Sequence, residues 1–95
     1  MTHVVKNIIP EMLWFAIHAL SETRRQLIVS VIAIEGKVCH DRLKEMLASA
    51  YEGEDMDEDI KTLIDAYIIE KVDRCYSLTD FGRRLIENLL KAVIE

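Results

Sequence analysis

The stretch from Ile60 to Gly82 limits the possible folds most, because its hydrophobic pattern changes period twice. Over 60–67 the apolar residues recur at spacings of three, four and seven, which is typical of one helix face. Residues 68–72 are rich in branched side chains, and a polar pair separates them from a second short run at 75–78. Two such runs around a polar pair favour a β-hairpin. The stretch therefore predicts a helix, a hairpin and then another helix.

The chain around this stretch is predicted to be helical. Apolar periodicity indicates helices over 11–20, 21–35, 41–51, 56–66 and 80–94. Ser21, Asp55 and Thr79 are placed to cap three of them, because their side-chain oxygens accept hydrogen bonds from free backbone N–H groups. The short run 37–39 is expected to pair at the edge of the hairpin. With 95 residues, the chain is predicted to be a single domain spanning 1–95, mainly α with a small hairpin sheet.

The net charge of −5 is concentrated in one segment. Six acids and no base occupy 52–59, and elsewhere 12 basic residues face 11 acids, a balance of +1. The acidity is therefore a local feature and not a property of the whole surface. Asn and Gln together number only three, a scarcity that fits a thermophilic source.

No motif in the sequence supports catalysis, a cofactor or a metal site. The chain has no G-x-S-x-G, no phosphate-binding glycine loop and no CxxC. Cys39–His40 is a single adjacent pair, and 55–59 imitates a calcium loop without the glycine that its sixth position requires. The apolar run 12–20 is too short to cross a membrane, and no signal peptide is expected. We therefore expect a cytoplasmic protein that is not an enzyme.

The order of elements resembles the winged helix-turn-helix transcriptional regulators of the ArsR, MarR and PadR type. Residues 19–24 are similar to the start of their first core helix, and 76–82 is similar to the Y-x-L-T-x-x-G run that closes their wing. The resemblance covers about residues 19–90. It implies a winged helix with extra N- and C-terminal helices, in which 68–78 is the wing and 56–66 enters the major groove of DNA.

The resemblance implies a sequence-specific regulator that binds duplex DNA as a homodimer. The expected DNA contacts come from the second core helix, the recognition helix and the wing: Lys37, Arg42, Lys44, Glu58, Lys61, Thr62, Lys71 and Arg74. The recognition helix departs from the family pattern, because it presents mostly carboxylates, which phosphates repel. Glu58 is nevertheless able to accept a hydrogen bond from a cytosine amine. The alternative is a winged helix for protein contact, whose acidic stretch 52–59 binds a basic partner.

The terminal helices carry more apolar surface than one small domain can cover. Trp14 and Phe15 are expected either in the core or at a subunit interface. The residues predicted to form the dimer interface are Met12, Leu13, Trp14, Phe15, Leu85, Ile86, Leu89, Leu90, Val93 and Ile94.

The two cysteines are expected to lie on neighbouring strands, because in the winged-helix fold the first short strand pairs with the return strand of the wing. A reducing cytoplasm favours two packed thiols at Cys39 and Cys75. A disulfide between them is the alternative.

Overall fold

The structure is a computed structural model that describes the backbone of residues 10–94 and the side chains of residues 11–88. The described chain is mostly helical with one small antiparallel sheet, as predicted. In chain order the elements are α1 (Pro10–Ala19), α2 (Thr23–Glu35), β1 (Val38–Cys39), α3 (His40–Met46), α4 (Ala48–Tyr51), α5 (Asp57–Asp65), β2 (Ile69–Val72), β3 (Cys75–Leu78) and α6 (Asp80–Ile94). Within the described residues, no helix is both long and apolar enough to span a membrane.

The sheet has three antiparallel strands in the order β1-β3-β2. Val72 pairs with Cys75, so the two-residue turn Asp73–Arg74 closes the hairpin where the sequence predicted it. Asp73 has a φ of 60°, a conformation that Asp tolerates better than most residues. β1 pairs with β3 through Val38 opposite Tyr76, which confirms the short edge strand.

The core forms where α2 crosses the sheet and α5. Ile28 and Ile32 on α2 and Leu63 on α5 are completely buried. Burying a side chain of this size stabilises the fold by about 1.5–3 kcal/mol. The other buried residues of the hydrophobic core are Ala16, Ala19, Val29, Val38, Leu43, Leu47, Tyr51, Met56, Ile60, Ala66, Ile68, Ile69 and Tyr76.

The helix predicted over 41–51 is divided in two. Leu47 lies between α3 and α4 with φ −106° and ψ 14°, outside the helical range. The break changes the direction of the chain before the last helical turn, and Leu47 and Tyr51 are both buried in the core. Periodicity did not predict this break, because residues 41–51 contain no Gly or Pro.

Two of the three predicted caps differ from the structure. The Ser21 hydroxyl donates to the carbonyl of His18 at 2.6 Å, so Ser21 closes the end of α1 and does not cap α2. The N-cap position of α2 is Glu22, which makes no side-chain capping bond. Asp55 does accept the N–H of Asp57 at 2.9 Å, but α5 begins at Asp57, with Met56 at the N-cap position.

Thr79 fastens the start of α6 to the backbone that enters β2. Its Oγ1 accepts the N–H of Gly82 at 2.9 Å, which confirms the predicted cap, and its hydroxyl donates to the carbonyl of Tyr67 at 2.5 Å. The first turn of α6 lies so close to this backbone that a Cβ on Gly82 would stand 2.1 Å from the oxygen of Ile68. The spacing of Thr and Gly in this run therefore has a steric reason.

Candidate nucleic-acid interface

Two adjacent clefts of about 510 and 390 Å³ lie along α3, α5 and the β2–β3 hairpin, and they share His40 and Asp57 as lining residues. We call the two clefts together the groove, and its lining residues are His40, Lys44, Leu47, Ala48, Tyr51, Gly53, Glu54, Asp55, Met56, Asp57, Ile60, Lys61, Ile64, Lys71, Arg74 and Tyr76.

His40 stands at the centre of the groove and joins its walls. Its Nδ1 and the Tyr76 hydroxyl are hydrogen-bonded at 2.9 Å, and its Nε2 lies 3.8 Å from Oδ1 of Asp57. Tyr76 is only 2% exposed, and this burial raises the pKa of its hydroxyl, an effect that Asp57 adds to and Arg74 opposes. The neutral phenol and the imidazole thus connect β3 to the start of α3, and the imidazole reaches toward α5.

The predicted DNA-binding cations divide into two sets. Lys44, Lys61, Lys71 and Arg74 all line the groove, whereas Lys37 and Arg42 are exposed but lie outside it. Lys44, Lys71 and Arg74 have no ion-pair partner among the side chains that the structure describes. Lys61 pairs with Asp65 at 3.1 Å and Arg42 with Glu35 at 3.7 Å. Both pairs are exposed, and such pairs are worth at most about 1 kcal/mol.

The two polar residues predicted to read bases, Glu58 and Thr62, do not line the groove. Glu58 is exposed on the first turn of α5. The hydroxyl of Thr62 donates to the carbonyl of Glu58 at 3.0 Å. Thr62 also borders a separate cleft of about 290 Å³, which it shares with Phe15 and His18 of α1. The sequence grouped Thr62 with Lys61, but the rotation of α5 directs the two toward different clefts.

Part of the acidic stretch is neutralised by two arginines at the start of α2. Arg24 contacts Glu54 at 3.1 Å and lies 4.6 Å from the centre of the Tyr51 ring. Arg25 contacts Asp59 at 3.2 Å, and the other Asp59 oxygen accepts the Tyr51 hydroxyl at 2.5 Å. Burial and then the bond to Asp59 raise the pKa of Tyr51. This network attaches α5 to α2 and α4 through polar contacts.

Sequence reasoning missed the roles of His40, Tyr51 and Tyr76. It considered His40 as a metal ligand beside Cys39 or as the start of the next helix, and it treated Tyr76 as an apolar strand residue. The available signal was chemical, since a buried tyrosine usually finds a hydrogen-bond partner for its hydroxyl. The partner could not be identified, because His40 and Tyr76 are 36 residues apart.

Cys39 and Cys75 lie directly opposite each other on β1 and β3, which confirms that they occupy neighbouring strands. The expectation of two packed thiols is wrong, because the structure joins them in a disulfide. The backbone N–H of His40 donates to the carbonyl of Arg74, so the cysteines occupy the adjacent position without ladder hydrogen bonds. Side chains at such positions approach most closely, which brings the two sulfurs within bonding reach.

The outer side of α1 is apolar and exposed. Trp14 is 62% and Phe15 is 54% exposed, so neither belongs to the core; Leu13 and Ile17 are also exposed, and Met12 is half-buried. The Trp14 ring stacks on His18 with centroids 5.6 Å apart. Of the predicted α6 interface residues, Leu85 and Ile86 pack partly against the core. The others lie outside the described side chains: Leu89, Leu90, Val93 and Ile94.

The groove is lined by side chains of both charges. Its cations are ammonium and guanidinium groups, the donors that proteins use for phosphate oxygens, and its carboxylates are Glu54, Asp55 and Asp57. Among side chains 11–88, no three His, Cys, Asp or Glu groups converge as a metal site would require. Comparison with protein-family models, curated proteins and solved structures found no match to the chain.

Proposed function

We propose that the protein is a winged helix-turn-helix regulator that binds duplex DNA as a homodimer. In this proposal α5 is the recognition helix, α3 with α4 precedes it, and the β2–β3 hairpin is the wing. The observation that carries the proposal is that Lys61 of α5 shares one groove with Lys71 and Arg74 of the hairpin. A recognition helix and a wing bind the same duplex only if their cations face the same side.

The exposed cations are numerous enough to bind the phosphate backbone of DNA. Lys71 and Arg74 are exposed and have no partner among the described side chains, and Lys61 has only an exposed pair with Asp65 to give up. A dimer related by a two-fold axis presents each cation twice. Together with Lys37 and Arg42, this makes about six to ten phosphate contacts feasible, so affinity should fall steeply with salt.

The acidic stretch opposes DNA binding less than its sequence indicates. Arg24 and Arg25 neutralise Glu54 and Asp59, so the field at the start of α5 is weaker than six free carboxylates would produce. Glu58 lies beside the groove and remains exposed on the first turn of α5, so its carboxylate is free to accept from a cytosine amine in the major groove.

Replacing Arg74 with alanine should weaken binding to every duplex sequence. Arg74 contacts phosphate in the proposed complex, so a dimer loses two contacts and the slope of log affinity against log salt should fall by about two. Glu58→Ala should instead change which sequences are enriched in a selection from random duplexes. Binding isotherms at several salt concentrations measure the first effect.

Arg83→Ala is the matched control for Arg74→Ala. Arg83 is an exposed arginine on α6 that lies outside the groove and pairs with Asp80 at 3.1 Å. It should leave both affinity and salt slope unchanged. If no duplex is enriched and the two variants behave alike, DNA binding is refuted and protein contact becomes the better proposal.

Protein contact is the second candidate, and one specific observation favours it. Glu52, Asp55 and Glu58 are exposed, and no ion pair neutralises them within the described side chains. They lie on the loop before α5 and on its first turn, an exposed acidic surface that a basic partner protein could cover. Retention on a basic peptide column that is lost in Glu52→Gln/Glu58→Gln would support it.

The homodimer is expected to form through α1. Sedimentation at micromolar concentration should give twice the 11.0 kDa chain mass. Trp14→Ser with Phe15→Ser should shift the mass to that of one chain, because these exposed aromatic rings would supply the apolar contact area. Ile34→Ser is the control, since Ile34 is 82% exposed on α2 and belongs to no predicted interface. A single-chain mass for the unmodified protein would contradict the dimer.

A further inference from the structure

We propose that the Cys39–Cys75 disulfide is a redox gate for the groove, which holds the groove in its binding form while oxidised and releases it when reduced. The inference rests on the proposed DNA binding and adds a form of regulation to it. It starts from the position of the bond, which joins the start of α3 to the hairpin end that carries Arg74.

Both cysteines are chain neighbours of groove residues. His40 follows Cys39, and Cys75 lies between Arg74 and Tyr76. The bond therefore fixes the distance between two walls of the groove at the point where His40 and Tyr76 meet. Because His40 follows Cys39 and Tyr76 follows Cys75, breaking the bond changes the constraint on the backbone of both residues directly.

Few backbone pairs besides the disulfide hold β1 against the sheet. The strand consists of Val38 and Cys39 alone; Val38 is buried and pairs with Tyr76, and next to the strand the His40 N–H donates to the Arg74 carbonyl at 2.8 Å. Two-residue strands contribute few cooperative hydrogen bonds. The hairpin and the helices have their own contacts, so loss of the disulfide should loosen β1 and the hairpin end without unfolding the domain.

The bond is accessible to a reductant. Cys39 is exposed and Cys75 is half-buried. A thiolate of a dithiol reductant attacks Sγ of Cys39, the S–S bond breaks, and Cys75 leaves as a thiolate that takes up a proton. The second thiol of the reductant then attacks the mixed disulfide and releases Cys39. Two electrons pass to the protein, and the reductant becomes a disulfide; a disulfide oxidant reverses the exchange.

Reduction should weaken DNA binding through lost preorganisation. In the oxidised protein, Lys44 on α3 and Arg74 on the hairpin keep a fixed separation. Both side chains can then contact phosphates without first ordering the backbone that carries them. In the reduced protein the hydrogen bonds of His40 to Arg74 and Tyr76 are no longer backed by a covalent link, so the hairpin end and the start of α3 vary more in relative position and binding must order them first. We expect affinity to fall about tenfold, the size of effect that ordering a short segment produces.

The test compares oxidised and dithiothreitol-reduced protein on a fluorescein-labelled mixed-sequence duplex at low salt. The oxidised form should bind about tenfold more tightly, reoxidation should restore it, and Cys39→Ser/Cys75→Ser should match the reduced form under both conditions. Hydrogen exchange of the His40 amide should accelerate on reduction, while that of the Gly36 amide, which bonds to Ile32 at the end of α2, should not change.

Each other outcome overturns the gate. Equal affinity of the two forms refutes it and leaves DNA binding intact. Absence of binding in the oxidised form refutes the proposed function and the gate with it. Loss of the circular dichroism of the helices on reduction refutes a local gate, because the bond then supports the whole fold. Unchanged protection of the His40 amide shows that the bond does not hold the strand.

Discussion

Removing the Cys39–Cys75 disulfide is expected to lower the free energy of unfolding by about 4 kcal/mol. The bond links residues 36 positions apart. Breaking it raises the conformational entropy of the unfolded chain, because the loop between the two cysteines is no longer closed. For a domain of this size such a loss corresponds to a fall in melting temperature on the order of 20 °C. Guanidinium denaturation of the oxidised protein and of Cys39→Ser/Cys75→Ser measures the difference.

Reduced protein of unaltered sequence is the control for this comparison. It should unfold at the same denaturant concentration as the serine variant, since both lack the bond and differ only in two small polar groups. If all three proteins unfold together, the disulfide is absent in solution or restricts the unfolded chain very little, and the prediction is wrong.

Gly82→Ala is expected to lower the free energy of unfolding by about 3 kcal/mol or more. In most helices this change is favourable by about 1 kcal/mol. Here the added Cβ would stand 2.1 Å from the Ile68 oxygen and 3.0 Å from its carbonyl carbon. Those are backbone atoms, so relief requires moving α6 away from β2, and overpacking of that kind costs about 1–3 kcal/mol or more. Denaturant unfolding followed by circular dichroism gives the value.

Gly53→Ala separates this steric effect from backbone strain. Gly53 has a φ of 87°, but a Cβ there would meet nothing within 4 Å. Its substitution should cost about 1–2 kcal/mol from the left-handed conformation alone. A Gly82→Ala cost no larger than that of Gly53→Ala would show that α6 shifts easily, contrary to the close approach in the structure.

The order and type of the elements were predictable because they depend on local patterns. The hairpin turn, the glycine end of α2 at Gly36 and the Thr79 cap are each decided by a few neighbouring residues. The break at Leu47 was not predictable, since it serves the burial of Tyr51 and its bond to Asp59. Both of those are tertiary contacts.

The candidate site was predictable as a set of residues but not as a surface. The family resemblance named cations around α3, α5 and the hairpin, yet it could not separate Lys61 in the groove from Thr62 in the cleft beside α1. That separation depends on how α5 is rotated against its neighbours. His40 was missed as the centre of the groove because its partners come from two distant elements.

The order of the strands also determines when the sheet can form during synthesis. In the described sheet β3 lies between β1 and β2, yet it follows both of them in the chain. The ribosome releases the chain from its N-terminus, so β1 and β2 emerge without a neighbour, while α2, α3 and α5 can form from local bonds. We therefore expect the nascent protein to form helices before the sheet. Its groove can form only after Leu78 has left the exit tunnel, when β3 is able to pair with both β1 and β2.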